Sequence, residues 1–143
     1  MRTRGLLMCG LSLVLAMVLS GGCATMSAES PPLPPAKALQ PGDLASLAGE
    51  WDGTLRGVGG TGPYVGQSVQ VRVTVAPDGS FTTNIQGRPG AGKAAIADGK
   101  IVFQGSTTKG TATLHEGGGR RVLKGEGTWV GFDGQSAFEL TKR

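Results

Sequence analysis

The sequence predicts an all-β fold: a small antiparallel up-and-down barrel of about eight strands in residues 48–143. Glycine and turn residues recur about every 8 to 12 positions, and the short runs between them alternate apolar and polar side chains. No run is long enough for a crossover helix, so we expect consecutive strands to be antiparallel. Closing such a meander into a barrel removes its exposed edges. An open two-sheet sandwich is the alternative that these signals leave.

Residues 1–22 are predicted to be an export signal. Arg2 and Arg4 precede an apolar run over residues 6–19, and the small residues 20–22 follow that run. The run is shorter than the roughly 20 apolar residues of a membrane-spanning helix, so we expect it to be cleaved rather than retained as an anchor. An ordinary secretory signal is the alternative.

The residues at the end of this signal, Val18–Cys23, resemble the lipobox of bacterial lipoproteins. Ser20 stands three residues before the cysteine, where Leu is commonest, and Leu19 stands one further back. The resemblance implies that the Cys23 thiol becomes a diacylglycerol thioether, and that cleavage exposes an amine that is then acylated, for example with palmitate. Two or more acyl chains anchor a protein almost permanently. Ala24 after the cysteine implies release to the outer membrane, on its periplasmic or surface-facing side.

Residues 23–47 are predicted to be the lipidated N-terminus and a flexible proline-rich tether. Residues 31–35 read Pro-Pro-Leu-Pro-Pro, which favours an extended polyproline-like spacer. The tether would hold the barrel away from the membrane surface.

The clearest strand covers residues 68–75, where valine occupies every second position and polar residues lie between. Residues 76–79, Ala-Pro-Asp-Gly, favour a tight turn. Residues 80–85 are then the hairpin partner of that strand.

A second hairpin is predicted at Asp98-Gly99, a strong two-residue turn signal. It pairs Ile96 with Ile101 and Ala94 with Phe103, which places all four apolar side chains on one face. The remaining strands are expected in residues 50–56, 111–115, 121–130 and 135–141.

A short helical turn is expected just before the first strand, with Asp43 as its cap and Leu44 and Leu47 on one side. Such a turn followed by Gly-x-Trp, here Gly49 and Trp51, resembles the calycin group of lipocalins, fatty-acid-binding proteins and avidins. The resemblance implies that the turn plugs one end of the barrel and that Trp51 packs over it. Lipocalins often stack an arginine on this tryptophan, and no arginine of this sequence can be matched to it.

The inward face of the barrel is the candidate ligand site. A barrel of this size is either filled by its side chains or has room for one small ligand. Gly53, Gly125 and Gly127 would leave space beside the two tryptophans. A solid core is the favoured alternative, because a domain of about 95 residues needs most of its apolar side chains for stability. The candidate cavity residues are Trp51, Phe81, Phe103, Trp129 and Phe138.

Two glycine-rich segments match nucleotide-binding motifs in letters only. Residues 57–62 match the dinucleotide fingerprint, and residues 87–94 nearly match the phosphate-binding loop, with Ala94 in place of the Ser or Thr that would hold magnesium. A strand or hairpin, rather than a helix, is expected after each. Since glycine supplies 26 of 143 residues, chance matches are expected, and both segments are predicted to be loops without phosphate binding.

No catalytic or metal site can be assembled from the remaining residues. Both cysteines, Cys9 and Cys23, lie at the signal, and His115 is the single histidine. We therefore expect no disulfide, metal or cofactor. His115 has no nucleophile nearby and is expected to be exposed. Glu50 and Asp52 are expected to be fully solvated on the outer face.

These observations predict an outer-membrane lipoprotein with a non-enzymatic binding or structural role in the bacterial cell envelope. From residue 49 onward there are 11 Lys or Arg and 8 Asp or Glu, a net charge of +3, and few aromatic residues accompany the cations, so nucleic-acid binding is not expected. We expect a monomer. One alternative is a calycin-like carrier of a small apolar ligand. The other is an inhibitor or adaptor that docks a periplasmic protein through the Gly57–Gly66 loop and Tyr64.

Overall fold

Nine β-strands and one 3₁₀ helix make up the part of the chain that the structure, a computed structural model, describes, residues 31–143. The predicted signal and Cys23 lie outside the described residues. In chain order the elements are β1 (Ala36–Lys37), the 3₁₀ helix (Pro41–Leu47), β2 (Gly49–Gly60), β3 (Ser68–Val75), β4 (Ser80–Ile85), β5 (Arg88–Ala97), β6 (Lys100–Gly105), β7 (Thr108–Gly117), β8 (Arg120–Trp129) and β9 (Gly134–Lys142).

Strands β2 to β9 form a closed eight-stranded antiparallel barrel. Each strand pairs with the next along the chain, and β9 returns to pair with β2. The barrel prediction is therefore confirmed, and the sandwich alternative is wrong. The predicted hairpin register is also confirmed, with Ile96 opposite Ile101 and Ala94 opposite Phe103.

The two glycine-rich segments were expected to be loops, and that expectation is wrong for most of their length. Gly57–Gly60 belongs to β2, and residues 88–94 belong to β5. The physical reason is close approach between backbones. A Cβ at Gly60 would collide with the carbonyl oxygen of Asp133, and one at Gly57 would lie 2.5 Å from the Tyr64 carbonyl oxygen. Because glycine has no side chain, these backbone segments can pass close to each other, so the glycines have a structural role.

Phenylalanine rings occupy the space that the interior glycines leave. A Cβ at Gly127 would lie 3.2 Å from Cζ of Phe103, and one at Gly125 would overlap the Phe138 ring. The rings meet edge to face, with centroids 5.5 Å apart for Phe103 and Phe138. The space that Gly125 and Gly127 would leave is therefore taken by rings from β9 and β6, which agrees with the favoured expectation of a solid core.

The 3₁₀ helix closes one end of the barrel, here called the plug end. Leu47 and Trp51 are fully buried there, and the Trp51 indole Nε1 donates a hydrogen bond to the Leu47 carbonyl oxygen at 2.9 Å. The helix begins with a capping box in which the Gln40 N–H donates to the Asp43 carboxylate at 2.9 Å. Asp43 therefore closes the box from the third helical position, and the cap residue is Gln40 rather than Asp43.

The segment before the helix packs against the barrel from Pro34 onward. Strand β1 pairs with β7 where β7 extends beyond β6, and Pro35 accepts a hydrogen bond from the Glu116 N–H at 3.2 Å. Leu39 is 1% exposed and donates its N–H to Gly99 O at 3.0 Å. The packed unit thus begins well before residue 48, where the sequence placed the end of the tether.

We expect Trp51→Ala to reduce the free energy of unfolding by about 3–5 kcal/mol, because it removes a buried aromatic ring and leaves the plug without its support. Urea unfolding followed by circular dichroism measures the loss. Trp51→Phe keeps most of the apolar ring and should be less destabilising. A loss below about 1 kcal/mol for Trp51→Ala would contradict a structural role.

We expect Gly125→Ala to cost about 1–3 kcal/mol, because its Cβ would overlap the Phe138 ring and approach Thr111 O to 2.6 Å. Gly59→Ala is the matched control, since no atom lies within 4 Å of the Cβ position there. Equal urea midpoints for the two variants would disprove the packing of rings over glycines.

Candidate functional site

Two cations at the plug end donate hydrogen bonds to the C-terminal end of the 3₁₀ helix. Lys142 Nζ lies 5.7 Å from the centroid of Trp51 and donates to Ser46 O at 3.1 Å. Arg121 Nη1 donates to the same oxygen at 2.8 Å. Burial, and then the charge of Arg121, lower the pKa of Lys142. Lys142 thus lies over Trp51, where lipocalins often place an arginine. It reaches this position because Lys142 on β9 is paired with Trp51 on β2.

His115 was expected to be exposed, but it contacts the N-terminal segment. His115 Nδ1 lies 3.0 Å from Pro34 O. The neighbouring Glu116 carboxylate pairs with Lys37 and with Arg121, each at 3.1 Å. The hydrogen bond from Lys37 lowers the pKa of Glu116, and the charge of Arg121 adds to this. Both residues are therefore structural contacts of the plug end.

The outer carboxylates are paired with cations. Glu50 is exposed, as expected, whereas Asp52 is half-buried rather than fully solvated. Asp52 accepts a hydrogen bond from Arg72 at 2.9 Å and contacts Arg143, and Glu50 pairs with Arg143 at 3.7 Å. The hydrogen bond from Arg72 holds the pKa of Asp52 below its usual range, with Arg143 contributing further. These cross-strand pairs lie where β2, β3 and the C-terminus meet.

The barrel interior contains a small apolar cavity of about 90 Å³. Of the five candidate cavity residues, Phe81, Phe103 and Phe138 line it, whereas Trp51 lies in the plug and Trp129 lies at the other end. Pockets that enclose drug-sized ligands measure roughly 300–1,000 Å³. The interior is therefore largely filled.

The end opposite the plug, here called the mouth, is formed by the β2–β3, β4–β5, β6–β7 and β8–β9 connections. Tyr64 packs on Trp129 there, with ring centroids 5.8 Å apart, and Trp129 is 4% exposed. The Gly57 N–H donates to Tyr64 O at 3.2 Å, which folds the β2–β3 connection back on β2. The predicted partner residue Tyr64 is thus turned toward the barrel.

Apolar side chains next to Tyr64 remain in contact with solvent. Val65, Val130 and Phe132 are 43%, 46% and 56% exposed, and together they form the mouth patch. A surface pocket of about 440 Å³, the mouth pocket, lies between these connections. The residues that line it are Pro63, Tyr64, Ile85, Arg88, Ser106, Thr107, Trp129, Val130 and Phe132.

The sequence patterns did not place Arg88 or Phe132 at the mouth. Arg88 opens β5 opposite Ile85, in the inward register that Ala94 and Ile96 continue. Arg88 and Ile96 are separated by an even number of positions, and this spacing could have placed Arg88 on the inward face. Phe132 lies in the β8–β9 turn, where no periodicity applies.

Comparison with protein-family models, with curated proteins and with solved structures gave no match. The barrel is compatible with a calycin-like domain. Among residues 31–143, no helix combines the length and the hydropathy of a membrane-spanning helix. The same residues contain no group of three or more His, Cys, Asp or Glu side chains placed to hold a metal ion.

Acid should loosen the N-terminal segment. Because the pKa of Glu116 is lowered in the folded protein, its ion pairs stabilise the fold above the unfolded pKa of about 4.3 and are lost as the pH falls through the lower folded value. We expect Glu116→Gln to raise hydrogen exchange at Leu39 N–H about three- to fivefold at pH 7 and to remove most of the extra exposure that the parent shows at acid pH.

The control for this experiment is Glu126→Gln, which removes the same charge from an exposed site that makes no salt bridge within residues 31–143. If the Leu39 N–H exchanges at the same rate in both variants, Glu116 does not hold the N-terminal segment.

Proposed function

We propose that this protein is a bacterial outer-membrane lipoprotein, anchored through acyl chains on Cys23, that acts in the cell envelope by binding rather than by catalysis. The lipobox-like residues Val18–Cys23 support the anchor. A rigid barrel that exposes binding groups on its connections supports a binding role.

The observation that carries the binding role is the mouth patch. A domain this small needs its apolar side chains in the core, yet Val65, Val130 and Phe132 stay exposed together at one end. The chain that leads from Cys23 joins the barrel at Pro34, beside the plug end of β7. The mouth is therefore at the end away from the point of attachment, where it is accessible to a ligand.

A carrier with its ligand inside the barrel is the first alternative. The interior cavity is lined by Phe81, Phe103 and Phe138 and holds about 90 Å³, less than the roughly 150 Å³ of an engineered cavity that binds benzene. This geometry favours the mouth over the interior as the binding place.

An inhibitor or adaptor is the second alternative. A protein partner at the mouth would contact Val65 and Phe132 first, because Tyr64 packs on Trp129. Buried aromatic anchors carry much of the binding energy in such interfaces.

We expect Cys23→Ser to abolish incorporation of an alkyne-labelled palmitate and to remove the protein from the outer-membrane fraction, because no thiol remains to be acylated. Cys9→Ser removes the other cysteine and should leave labelling unchanged. Labelling of the Cys23→Ser variant at the level of the parent would overturn the anchor.

A further inference from the structure

Exposed apolar side chains are concentrated at the mouth. Within residues 31–143 the exposed large hydrophobic residues are Val58, Val65, Val102, Val130 and Phe132. Val65, Val130 and Phe132 form the mouth patch, and Val58 lies near the end of β2 that adjoins the mouth. Val102 alone lies on the wall of the barrel, in β6. Grouped apolar exposure on a small domain marks a surface that contacts another molecule or a membrane.

The two ends of the barrel also differ in charge. Among the described residues, the connections at the mouth contain one charged side chain, Asp133, and the cations Arg88 and Lys109 lie at the starts of β5 and β7 beside them. Carboxylates are more numerous at the plug end, where they belong to Asp43, Asp78, Asp98 and Glu116. Because charged groups are costly to take out of water, the mouth is the end that a lipid surface accepts more readily. Its two cations suit anionic headgroups.

The length of the tether allows the mouth to reach the membrane that carries the anchor. The chain joins the barrel at Pro34, beside His115 of β7, and Thr108 at the mouth end of β7 is seven residues from His115. Seven strand residues rise about 23 Å, and less along the barrel axis because barrel strands are tilted. The eleven residues from Cys23 to Pro34 span at most about 40 Å. The tether is therefore longer than the distance from its attachment point to the mouth.

The small size of the mouth patch favours a lipid surface over a protein partner. A stable protein interface buries about 800 Å² on each partner and involves roughly 20–30 residues a side. The mouth patch has three exposed apolar side chains. A barrel that is already anchored is held beside the bilayer at high effective concentration, so weak contacts are enough to orient it there.

We propose that the mouth patch docks on the lipid surface of the membrane in which Cys23 is anchored, with the side chains of Val65, Val130 and Phe132 in the headgroup region. This inference rests on the proposed anchor and names a lipid bilayer as the partner of the mouth.

The test uses the ¹⁵N-labelled protein, processed and lipid-anchored in nanodiscs of phosphatidylcholine with added phosphatidylglycerol. A lipid with a nitroxide near its headgroup broadens the amide signals of residues that lie close to the surface. We expect the signals of Val65, Val130 and Phe132 to lose intensity at least about twofold, because docking places them among the headgroups. The signals of Asp98 and Gly118, in turns at the plug end, should keep their intensity.

A matched pair of variants tests the apolar contact. Val130→Ser and Val102→Ser each remove an exposed valine, 46% exposed at the mouth and 42% exposed on the barrel wall. Val130→Ser should lower the ratio of docked to undocked barrel about two- to fivefold, read as reduced broadening at Phe132, and Val102→Ser should leave it unchanged. Unshifted signals from the rest of the barrel show that each variant is folded.

A second pair tests the charge. Arg88→Gln should lower the docked ratio about two- to fivefold in nanodiscs that contain phosphatidylglycerol and have no effect in phosphatidylcholine alone. Lys100→Gln is the control, because it removes an exposed cation beside the plug-end turn at Asp98. An equal effect of the two charge variants would contradict a role for Arg88 at the lipid surface.

Sharp mouth signals beside the nitroxide lipid would overturn the docking, as would equal broadening at both ends or equal effects of Val130→Ser and Val102→Ser. If the mouth signals are sharp and a photo-cross-linker at position 132 captures a single protein in intact outer membranes, the partner is a protein and the lipid assignment is wrong. Palmitate labelling of Cys23 separates the two proposals. A labelled protein with sharp mouth signals disproves the docking alone, whereas absence of labelling disproves the anchor.

Discussion

The hydrogen bond from the Trp51 indole to Leu47 O is the contact on which the closed end of the barrel depends. It joins the first barrel strand to the helix that precedes it, and the fully buried ring fills the end of the barrel beneath that helix. Lys142 and Arg121 then bind Ser46 O at the end of the same helix. This end is therefore sealed by polar contacts, whereas the mouth exposes Val65, Val130 and Phe132 to solvent.

The two ends differ in how completely their groups are paired. At the plug end Glu116 has two cationic partners and His115 contacts the incoming chain. Arg121 Nε makes no hydrogen bond among the described residues, but it lies 3.1 Å from the Glu116 carboxylate and is compensated by that charge. At the mouth Phe132 is exposed and the Trp129 N–H has no partner within residues 31–143. Grouped apolar exposure marks interaction surfaces, so the mouth is where a contact with another molecule or a membrane is to be sought.

The strands could be predicted where alternation and turn chemistry agree. The bounds of β3 and β4 and the register of the hairpin at Asp98 follow from local patterns, because side chains alternate with period two and the turn sets the register. The Gly-x-Trp pattern also placed the plug correctly. The glycine-rich segments were assigned wrongly, because a glycine required by a facing backbone looks in sequence like a glycine required by a turn.

The sequence by itself determined an all-β chain, its strand order and the helical turn that plugs the barrel over Trp51. The lipobox-like export signal ending at Cys23 stays a prediction. Only the tertiary structure decided that phenylalanines fill the interior, that Lys142 covers Trp51, and that Arg88, Trp129 and Phe132 meet at the mouth. The physical reason is that these contacts join strands and turns far apart in the chain. Their distances are set by how the barrel closes, whereas sequence patterns report only on near neighbours.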